Sequence, residues 1–439
     1  MRFAAPVTST TRFLGTEDSE EAGEVDEETL IYNAGMNPKA HESDSLPAPG
    51  PDALAQSTRL IARIRAEIAS AGGWLPFSRY MELALYAPGL GYYSGGAMKF
   101  GKRGDDGSDF VTAPEMSPLF SATLARPVAQ ALRDSGTRDL IEFGAGTGKL
   151  AAGLLNALKA LDVPFDSYAI VDLSGELQER QRATLEAAAP ELVSKVKWLS
   201  VLPEHFEGVV IGNEVLDAMP VRLVVRKLGV WHERGVSWID DRFAFDDKPL
   251  LAALDDPILA EIDATIDEVN DEPFVEYLTE THEAALAFTR TICSMLVRGA
   301  AFFIDYGFPR REFYHAQRAQ GTLMCHYRHR SHGDPFLYPG LQDITAHVEF
   351  SAIAEAGTEA GADLLGFTSQ ARFLMNAGIT DTLSELDPAD ARRFLPAANA
   401  VQKLLSEAEM GELFKVIAFS RGIDDTLTAF SSGDRSHTL

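Results

Sequence analysis

The spacing of hydrophobic positions along this chain changes more than once, and each change marks a different architecture. From Ser57, "STRLIARIRAEIASAGGW" places Leu60, Ile61, Ile64 and Ile68 on one face at helical spacing, closed by Gly72 and Gly73. "LPFSRYMELALYAPGLGYYSGG" reads as a second short helix and a glycine-rich turn. "GDDGSDFVTAPEMSPLFSATLARPVAQAL" reads as a loop running into another helix. Near residue 138 short apolar runs begin to alternate with longer amphipathic ones. They are "DLIEF", a helix over 148–161, "SYAIVDL", a helix over 175–189 ended by Pro190, then "KVKWLS" and "GVVIGNEV". That rhythm predicts an α/β fold with a doubly wound, mostly parallel sheet.

Residues 221–278 interrupt it. The β-branched and aromatic residues of "VRLVVRKLGVWHERGVSWI" gather around glycine turns, predicting an inserted antiparallel subdomain with a helix near 250–270. A helix over 280–297 and the strand-like "GAAFFIDYG" resume the first rhythm, and "GTLMCHY", "DLLGFTS" and "FKVIAFSR" are further strand candidates. The implied organisation is a disordered acidic tail and linker over 1–56 and an N-terminal helical cap over 57–137. The α/β domain follows over 138–425, with a flexible C-terminus over 426–439.

Composition narrows the function. The formal net charge is −26, which excludes nucleic acid and anionic membrane surfaces as partners, because both need a positive footprint. It is compatible with a cationic substrate such as an arginine-bearing peptide, although a solvated acidic surface is the more usual reason for it. The two cysteines, Cys293 and Cys325, build no disulfide framework and have no CxxC partner. No apolar run approaches the roughly twenty residues of a membrane span. The run "EDSEEAGEVDEE" is the opposite of an Arg-rich presequence, so a cytoplasmic setting is expected. Met36, opening "MNPKAHESDS", reads as a natural start, with residues 1–35 assigned to an upstream start codon.

The stretch "LIEFGAGTGKLAAGLL" carries the first chemistry. A P-loop needs GxxxxGK[ST], and here Lys149 is followed by Leu150. The dinucleotide fingerprint needs GxGxxG, and here Gly144, Gly146 and Gly148 alternate, one residue short. An acid followed by GxGxG after the first strand fits S-adenosylmethionine (SAM). Its amino-acid and ribose portions pass close to the glycine backbone while Glu142 can hold its ammonium. Asp172, ending the second strand, is placed to accept ribose hydroxyls.

Ligands of such sheets sit at the carboxyl ends of the strands. There the loop "GNEVLDAMPV" offers Glu214 and Asp217, three apart and on one face if the loop opens a helical turn. Such a pair could clamp a guanidinium by charge-assisted hydrogen bonds and leave one nitrogen lone pair facing the sulfonium methyl. The plainer alternative is a pair of acids favouring a helix N-terminus.

The blocks "GYYS" (91–94), "DFVTAPEMSPLF" (109–120), "IEFGAGTGKLA" (141–151), "GNEVLDAMPV" (212–221) and "FIDYGFPRREFY" (303–314) occur in that order. "GTLMCHYRHRSHGDPFLYPGLQDITAHVEFSAIA" (321–354) follows them. In these blocks the chain resembles the MidA-type SAM-dependent methyltransferases over about residues 57–425. The resemblance implies a Rossmann-like class I methyltransferase fold with a helical cap and an inserted substrate-facing region. It implies SAM binding by Glu142, Gly144, Gly146, Gly148 and Asp172. Mitochondrial members of that family are arginine methyltransferases acting on a subunit of respiratory complex I during its assembly, so a protein partner of that kind is implied here. Arginine methyltransferases of the best-known type carry two glutamates in a longer hairpin after strand four. This chain departs from that pattern with Glu214 and Asp217.

Other candidates line the same region. Asp305 and Tyr306 end the fifth strand, where they line the substrate channel or Asp305 caps a turn, and Thr112 and Glu115 stand in a loop placed to close over SAM or to open the following helix. "CHYRHRSHGDPFLYPG" brings His326, His329 and His332 together with Asp334. The run reads as a substrate-lining or structural loop, with His326 a lining candidate and no metal expected, since methyl transfer from a sulfonium needs none. Two rival functions fit the same residues: a non-catalytic SAM-binding assembly factor, and a methyltransferase acting on a small molecule.

Overall fold

The computed structural model describes residues 46–95, 112–172, 174–250, 256–270 and 274–439; the expected acidic tail lies outside them up to residue 45. Helix α1 (Pro51–Ser70) buries Leu60, Ile64 and Ile68, the stripe its spacing dictates. It starts at Pro51, a residue suited to a first helical position, so residues 51–56 are helix rather than linker. Strand β1 (Trp74–Pro76), helix α2 (Phe77–Tyr86) and the single turn α3 (Ala113–Met116) follow. Helix α4 (Pro118–Ser135) is capped by the Ser117 hydroxyl and closed by Gly136 at φ 66°.

The central sheet is built from β2 (Asp139–Phe143), β3 (Ser167–Val171), β4 (Val196–Leu199) and β5 (Phe206–Asn213), with helices α5 (Lys149–Ala160) and α6 (Gly175–Ala188) between the first three. The chain then leaves for β6 (Arg222–Lys227), β7 (Val230–Ile239), β8 (Arg242–Pro249), α7 (Pro257–Val269) and β9 (Glu276–Thr281). It returns through α8 (Glu283–Met295) to β10 (Leu296–Phe308). After α9 (Arg310–Phe313), the strands β11 (Met324–Tyr327), β12 (Arg330–His332) and β13 (Asp343–Thr345) form a small sheet of their own. Strand β14 (Val348–Glu349), α10 (Phe350–Glu359), β15 (Asp363–Ser369), α11 (Gln370–Asn376), α12 (Ile379–Ser384), α13 (Ala391–Leu405) and β16 (Phe414–Arg421) complete the order.

The central strand order is β4-β3-β2-β5-β10-β16-β15, with β14 beside β10. The first five are parallel and β16 runs antiparallel between β10 and β15. The order reverses between β2 and β5, which opens a crevice at their carboxyl ends. Helices cover both faces: α4, α5 and α11–α13 on one, α8 and α10 on the other. The inserted strands make a separate antiparallel sheet, β1-β7-β6-β9 with β8 on β7, packed under α1 and α2.

Three sequence expectations change. The region 57–137 is not a purely helical cap: β1 pairs with β7 of the insertion, and α4 packs on the central sheet. The helical turn expected at 214–217 is a bend. The end of the chain is not loose. Leu427 and Phe430 are buried in the core, Asp434 accepts from the Phe367 amide at 3.1 Å, and Arg435 pairs with Glu412. Its polar composition conceals two apolar anchors six and nine residues beyond Arg421.

Candidate active site

Three glycines turn the chain from β2 into α5 with positive φ: 62° at Gly144, 53° at Gly146 and 86° at Gly148. L-residues pay for that region, and glycine does not. The space beside Gly146 is open, with no protein atom within 4 Å of where a Cβ would stand. At Gly148 a Cβ would lie 3.0 Å from Cα of Gln181. The first is therefore a cradle for a ligand and the second a packing contact between α5 and α6.

Glu142 faces inward two residues before Gly144 and is 1% exposed. Burial pushes its carboxyl up to about 7, opposed by the Tyr168 hydroxyl, which donates at 2.6 Å. At the end of β3, Asp172 accepts from the Ser174 amide at 3.0 Å and from Gln181 Nε2 at 2.8 Å. Gln181 also donates to the Gly146 carbonyl at 3.2 Å and accepts from Trp198 Nε1 at 2.9 Å. Fully buried, Gln181 ties the glycine turn to the strand-end acid, and the sequence reading missed it. Glutamine in the middle of a polar helix carries no local signal.

The register of β5 on β10 sets Asn213 opposite Ile304, so the loop after β5 lies against Asp305. Glu214 has φ 53°, a left-handed conformation uncommon for a non-glycine residue, and its amide donates to the Ile304 carbonyl at 2.8 Å. Its carboxyl receives Asn213 Nδ2 at 2.9 Å, and the Ala113 backbone favours its ionised form. Burial, then the neighbouring Asp217, push it up to about 8. Asp217 is 5% exposed and raised by burial, with the Tyr306 hydroxyl donating to it, and its Oδ1 is buried with no hydrogen-bond partner. Among the described residues no basic side chain forms an ion pair with Glu214, Asp217 or Asp305.

Of its two sequence readings, Asp305 takes the turn-holding one and does not line a channel. It is 1% exposed, and its Oδ2 accepts from the amides of Val215, Leu216 and Asp217 at 3.1, 2.8 and 3.3 Å. It holds the loop instead. Tyr306 does reach the acids, through Asp217. Glu115 is likewise turned inward: Thr147 and Lys149, on either side of Gly148, donate to its carboxylate. Thr112 is half-buried, and its carbonyl accepts from the Glu115 and Met116 amides. Residues 109–111 of that loop lie outside the described residues.

Two tyrosines and one acid join the site from distant elements. The Tyr86 hydroxyl donates to the Ala218 carbonyl at 2.9 Å, and its ring stacks on Tyr93 with centroids 5.4 Å apart. The Tyr93 hydroxyl meets both carboxylate oxygens of Asp343, at 3.0 and 2.9 Å. Burial, followed by Asp343, Asp217 and Asp172, raises the Tyr86 phenol, so this side chain senses acids from both halves of the site. His326 on β11 stands opposite Asp343 in register, and burial with His332 nearby lowers its imidazole to about 4, leaving it neutral. His329 lies exposed at the hairpin turn. Among the described residues no group of three or more His, Cys, Asp or Glu side chains is placed to hold a metal ion.

Comparison with known proteins gives one family. Residues 123–368 match the profile of a family described as S-adenosyl-L-methionine-dependent methyltransferases. The chain is similar to a crystal structure of a Burkholderia thailandensis protein bound to S-adenosyl-homocysteine. The two are 73% identical with a TM-score of 0.86, over 90% of this chain and 100% of that one. It is similar to the fruit-fly (Drosophila melanogaster) mitochondrial protein arginine methyltransferase NDUFAF7 homolog, 26% identical over 83% of this chain and 85% of the fly protein. The zebrafish (Danio rerio) protein arginine methyltransferase NDUFAF7 is 26% identical over 79% and 83%. These relatives are named as mitochondrial proteins, which overturns the cytoplasmic setting expected from the sequence.

Proposed function

This chain belongs to the S-adenosyl-L-methionine-dependent methyltransferase family, and we propose that it methylates an arginine guanidinium nitrogen of a protein. The observation that carries the acceptor is Asp217: a buried carboxylate with one oxygen lacking any donor, beside a second carboxylate, Glu214, with no basic side chain of the described protein to pair either. Buried charges are costly unless paired, so the site is built for an incoming cation with several N–H donors. Relatives named as protein arginine methyltransferases support that choice. On the family resemblance, we extend the proposal to an arginine in a subunit of respiratory complex I.

The cofactor supplies an activated methyl on sulfur, and the protein supplies position. Gly144–Gly148 would let backbone approach the cofactor closely, Asp172 would accept from its ribose hydroxyls, and Glu142 would hold its ammonium. Glu214 and Asp217 hold two guanidinium nitrogens, and a third presents its lone pair to the methyl carbon. The N–C bond forms as the C–S bond breaks and its electron pair stays on sulfur, giving S-adenosyl-homocysteine. The methylated guanidinium carries the positive charge and releases one nitrogen-bound proton afterwards, so no strong base is needed during transfer.

The test compares methylarginine across the proteomes of cells carrying the wild-type gene, the deletion, and Glu214→Gln/Asp217→Asn. The expected result is a peptide methylated with the wild type alone, while the purified variant still binds S-adenosyl-homocysteine. No methylarginine difference in any peptide would sink the proposal.

A further inference from the structure

Between strands β13 and β14 the chain takes a step of two residues, Ala346 and His347, that belongs to neither ladder. Buried backbone groups in such a step need partners from elsewhere. The Ala346 amide donates to the Asp217 carbonyl at 3.0 Å, so the step is bonded directly to the acceptor loop. The His347 amide donates to Thr322 Oγ1 at 3.1 Å, and the His347 carbonyl accepts from His282 Nε2 at 2.8 Å. Ala346 is fully buried, and Asp217, His282 and Thr322 are buried as well.

Thr322 stands where the β11–β13 register, continued past Met324 and Thr345, sets it opposite His347. Its amide turns to the inserted sheet instead. It donates to Glu280 Oε1 at 2.7 Å, with the Leu323 amide on the same oxygen at 3.1 Å. The Thr322 hydroxyl donates to Glu280 Oε2 at 3.1 Å and offers its lone pair to the His347 amide. Glu280, near the end of β9, is fully buried, and among the described residues no basic side chain forms an ion pair with it. Three hydrogen-bond donors hold the carboxyl in place of a cation. Gly321 makes that approach possible: its φ is 78°, and a Cβ there would stand 2.6 Å from Glu280 Oε1.

We propose, on the reading of Asp217 as an acceptor-side carboxylate, that Thr322 is a positioning residue for methyl transfer. Backed by Glu280, its hydroxyl fixes the Ala346–His347 step, and the Ala346 amide in turn fixes the backbone of Asp217. Thr322 and Glu280 touch no reacting atom in this scheme.

Two anchors therefore act on one residue. Asp305 accepts from the Asp217 amide at 3.3 Å, and Ala346 donates to the Asp217 carbonyl at 3.0 Å. The first anchor comes from β10 of the central sheet. The second starts in the inserted sheet, because Glu280 belongs to β9. Releasing it shifts an acid that orients the acceptor while leaving the glycine turn untouched. Small misplacements of reacting groups slow transfer strongly, with no matching loss of cofactor binding.

The experiment uses the full 15N-labelled chain and follows hydrogen exchange of the Ala346 amide by NMR in wild type, Thr322→Val, Thr322→Ser and Glu280→Gln. Thr322→Val keeps the shape and removes both hydroxyl contacts, Thr322→Ser keeps them, and Glu280→Gln weakens the support behind them. The Ala346 amide is expected to exchange about tenfold faster in Thr322→Val, less so in Glu280→Gln, and near the wild-type rate in Thr322→Ser. Amides of the β2–β3 ladder keep their rates, which separates release of the step from general loosening. On an arginine peptide, kcat falls about tenfold in Thr322→Val and recovers in Thr322→Ser, while affinity for S-adenosyl-homocysteine changes less than about twofold. Wild-type Ala346 exchange in both Thr322→Val and Glu280→Gln overturns the proposal. So does acceleration that β2–β3 shares or that serine leaves uncorrected, and so does wild-type kcat beside a loosened Ala346 amide. Should Thr322→Val not fold, Glu280→Gln against wild type carries the comparison. If wild type methylates no arginine peptide, the functional proposal fails by itself, and Ala346 exchange still decides whether Thr322 holds the acceptor loop.

Discussion

Asp305 Oδ2 lies 2.8 Å from the backbone nitrogen of Leu216, and the amides on either side of Leu216 turn toward the same oxygen. The loop that carries Glu214 and Asp217 is therefore held by a carboxylate on the neighbouring strand. Replacing it with alanine leaves three amides without their acceptor in a buried place, at a cost of about 3 kcal/mol. Asp305→Ala is expected to melt lower and to lose methylation more severely than cofactor binding. Asp305→Asn, which keeps a carbonyl acceptor, should fall between. Calorimetric melts and S-adenosyl-homocysteine titration check this, and an Asp305→Ala protein with wild-type turnover contradicts it.

The glycines of the turn should separate binding from folding. Gly146→Val incurs the left-handed backbone strain, about 1–2 kcal/mol, while its Cβ enters open space. On the proposed placement the cofactor fills that space, so affinity for S-adenosyl-homocysteine should drop by more than about tenfold. Gly148→Val meets the backbone of Gln181 as well, and should cost more stability than Gly146→Val. Equal melting temperatures for the two variants would refute the distinction.

Gln181 bonds to the Gly146 carbonyl, Asp172 and Trp198 at once. Gln181→Met keeps most of the volume, removes all three contacts and leaves buried polar groups unsatisfied, a loss of roughly 1–3 kcal/mol. Cofactor affinity should weaken because Asp172 loses its orienting donor. A variant that melts lower yet binds S-adenosyl-homocysteine normally would show that Gln181 serves the fold alone.

Stability and activity should respond oppositely to pH. The carboxyls of Glu142 and Glu214, raised to about 7 and about 8, bind protons more tightly in the folded chain than in the unfolded one. Their contribution to stability is complete below the ordinary carboxyl range near pH 4 and is lost as pH rises through 7 and 8. Thermal melts between pH 5 and 8.5 should show the midpoint falling, less steeply in Glu214→Gln, which has no proton to lose. Capture of a guanidinium uses the ionised pair, so kcat/KM on an arginine peptide should climb over the same interval. A flat profile from pH 5 to 9 argues against ionised Glu214 as the guanidinium partner.

What could be read from the sequence was what is local in it. Glu142, the three glycines and Asp172 fall within about thirty residues, in a strand–turn–helix–strand unit whose chemistry depends on spacing. Glu214 and Asp217 were visible as acids at a strand end, whereas the left-handed backbone at Glu214 was not, because it depends on the Ile304 carbonyl and on Asp305 across the sheet. Tyr86, Tyr93 and Asp343 reach the site only when the cap and the β11–β13 sheet close on it, across 132 residues from Tyr86 to Ala218 and 250 from Tyr93 to Asp343. The chain end misled for a related reason: a few buried apolar side chains outweigh many polar ones, and which positions are buried is decided by packing.

The placement of the inserted sheet has a consequence for how the protein can change. The residues proposed to hold the cofactor, from Glu142 to Asp172, precede β5, and the acids of the loop after β5 and of β10 lie on either side of β6–β9. Strands β5 and β10 are hydrogen-bonded neighbours whatever the chain does between them. The excursion is thus inserted between two strands whose pairing is complete without it. Exchanging its outer strands, away from the β1–β7 seam, leaves the β5–β10 register in place, and with it the carboxyl ends of the strands where the proposed site lies.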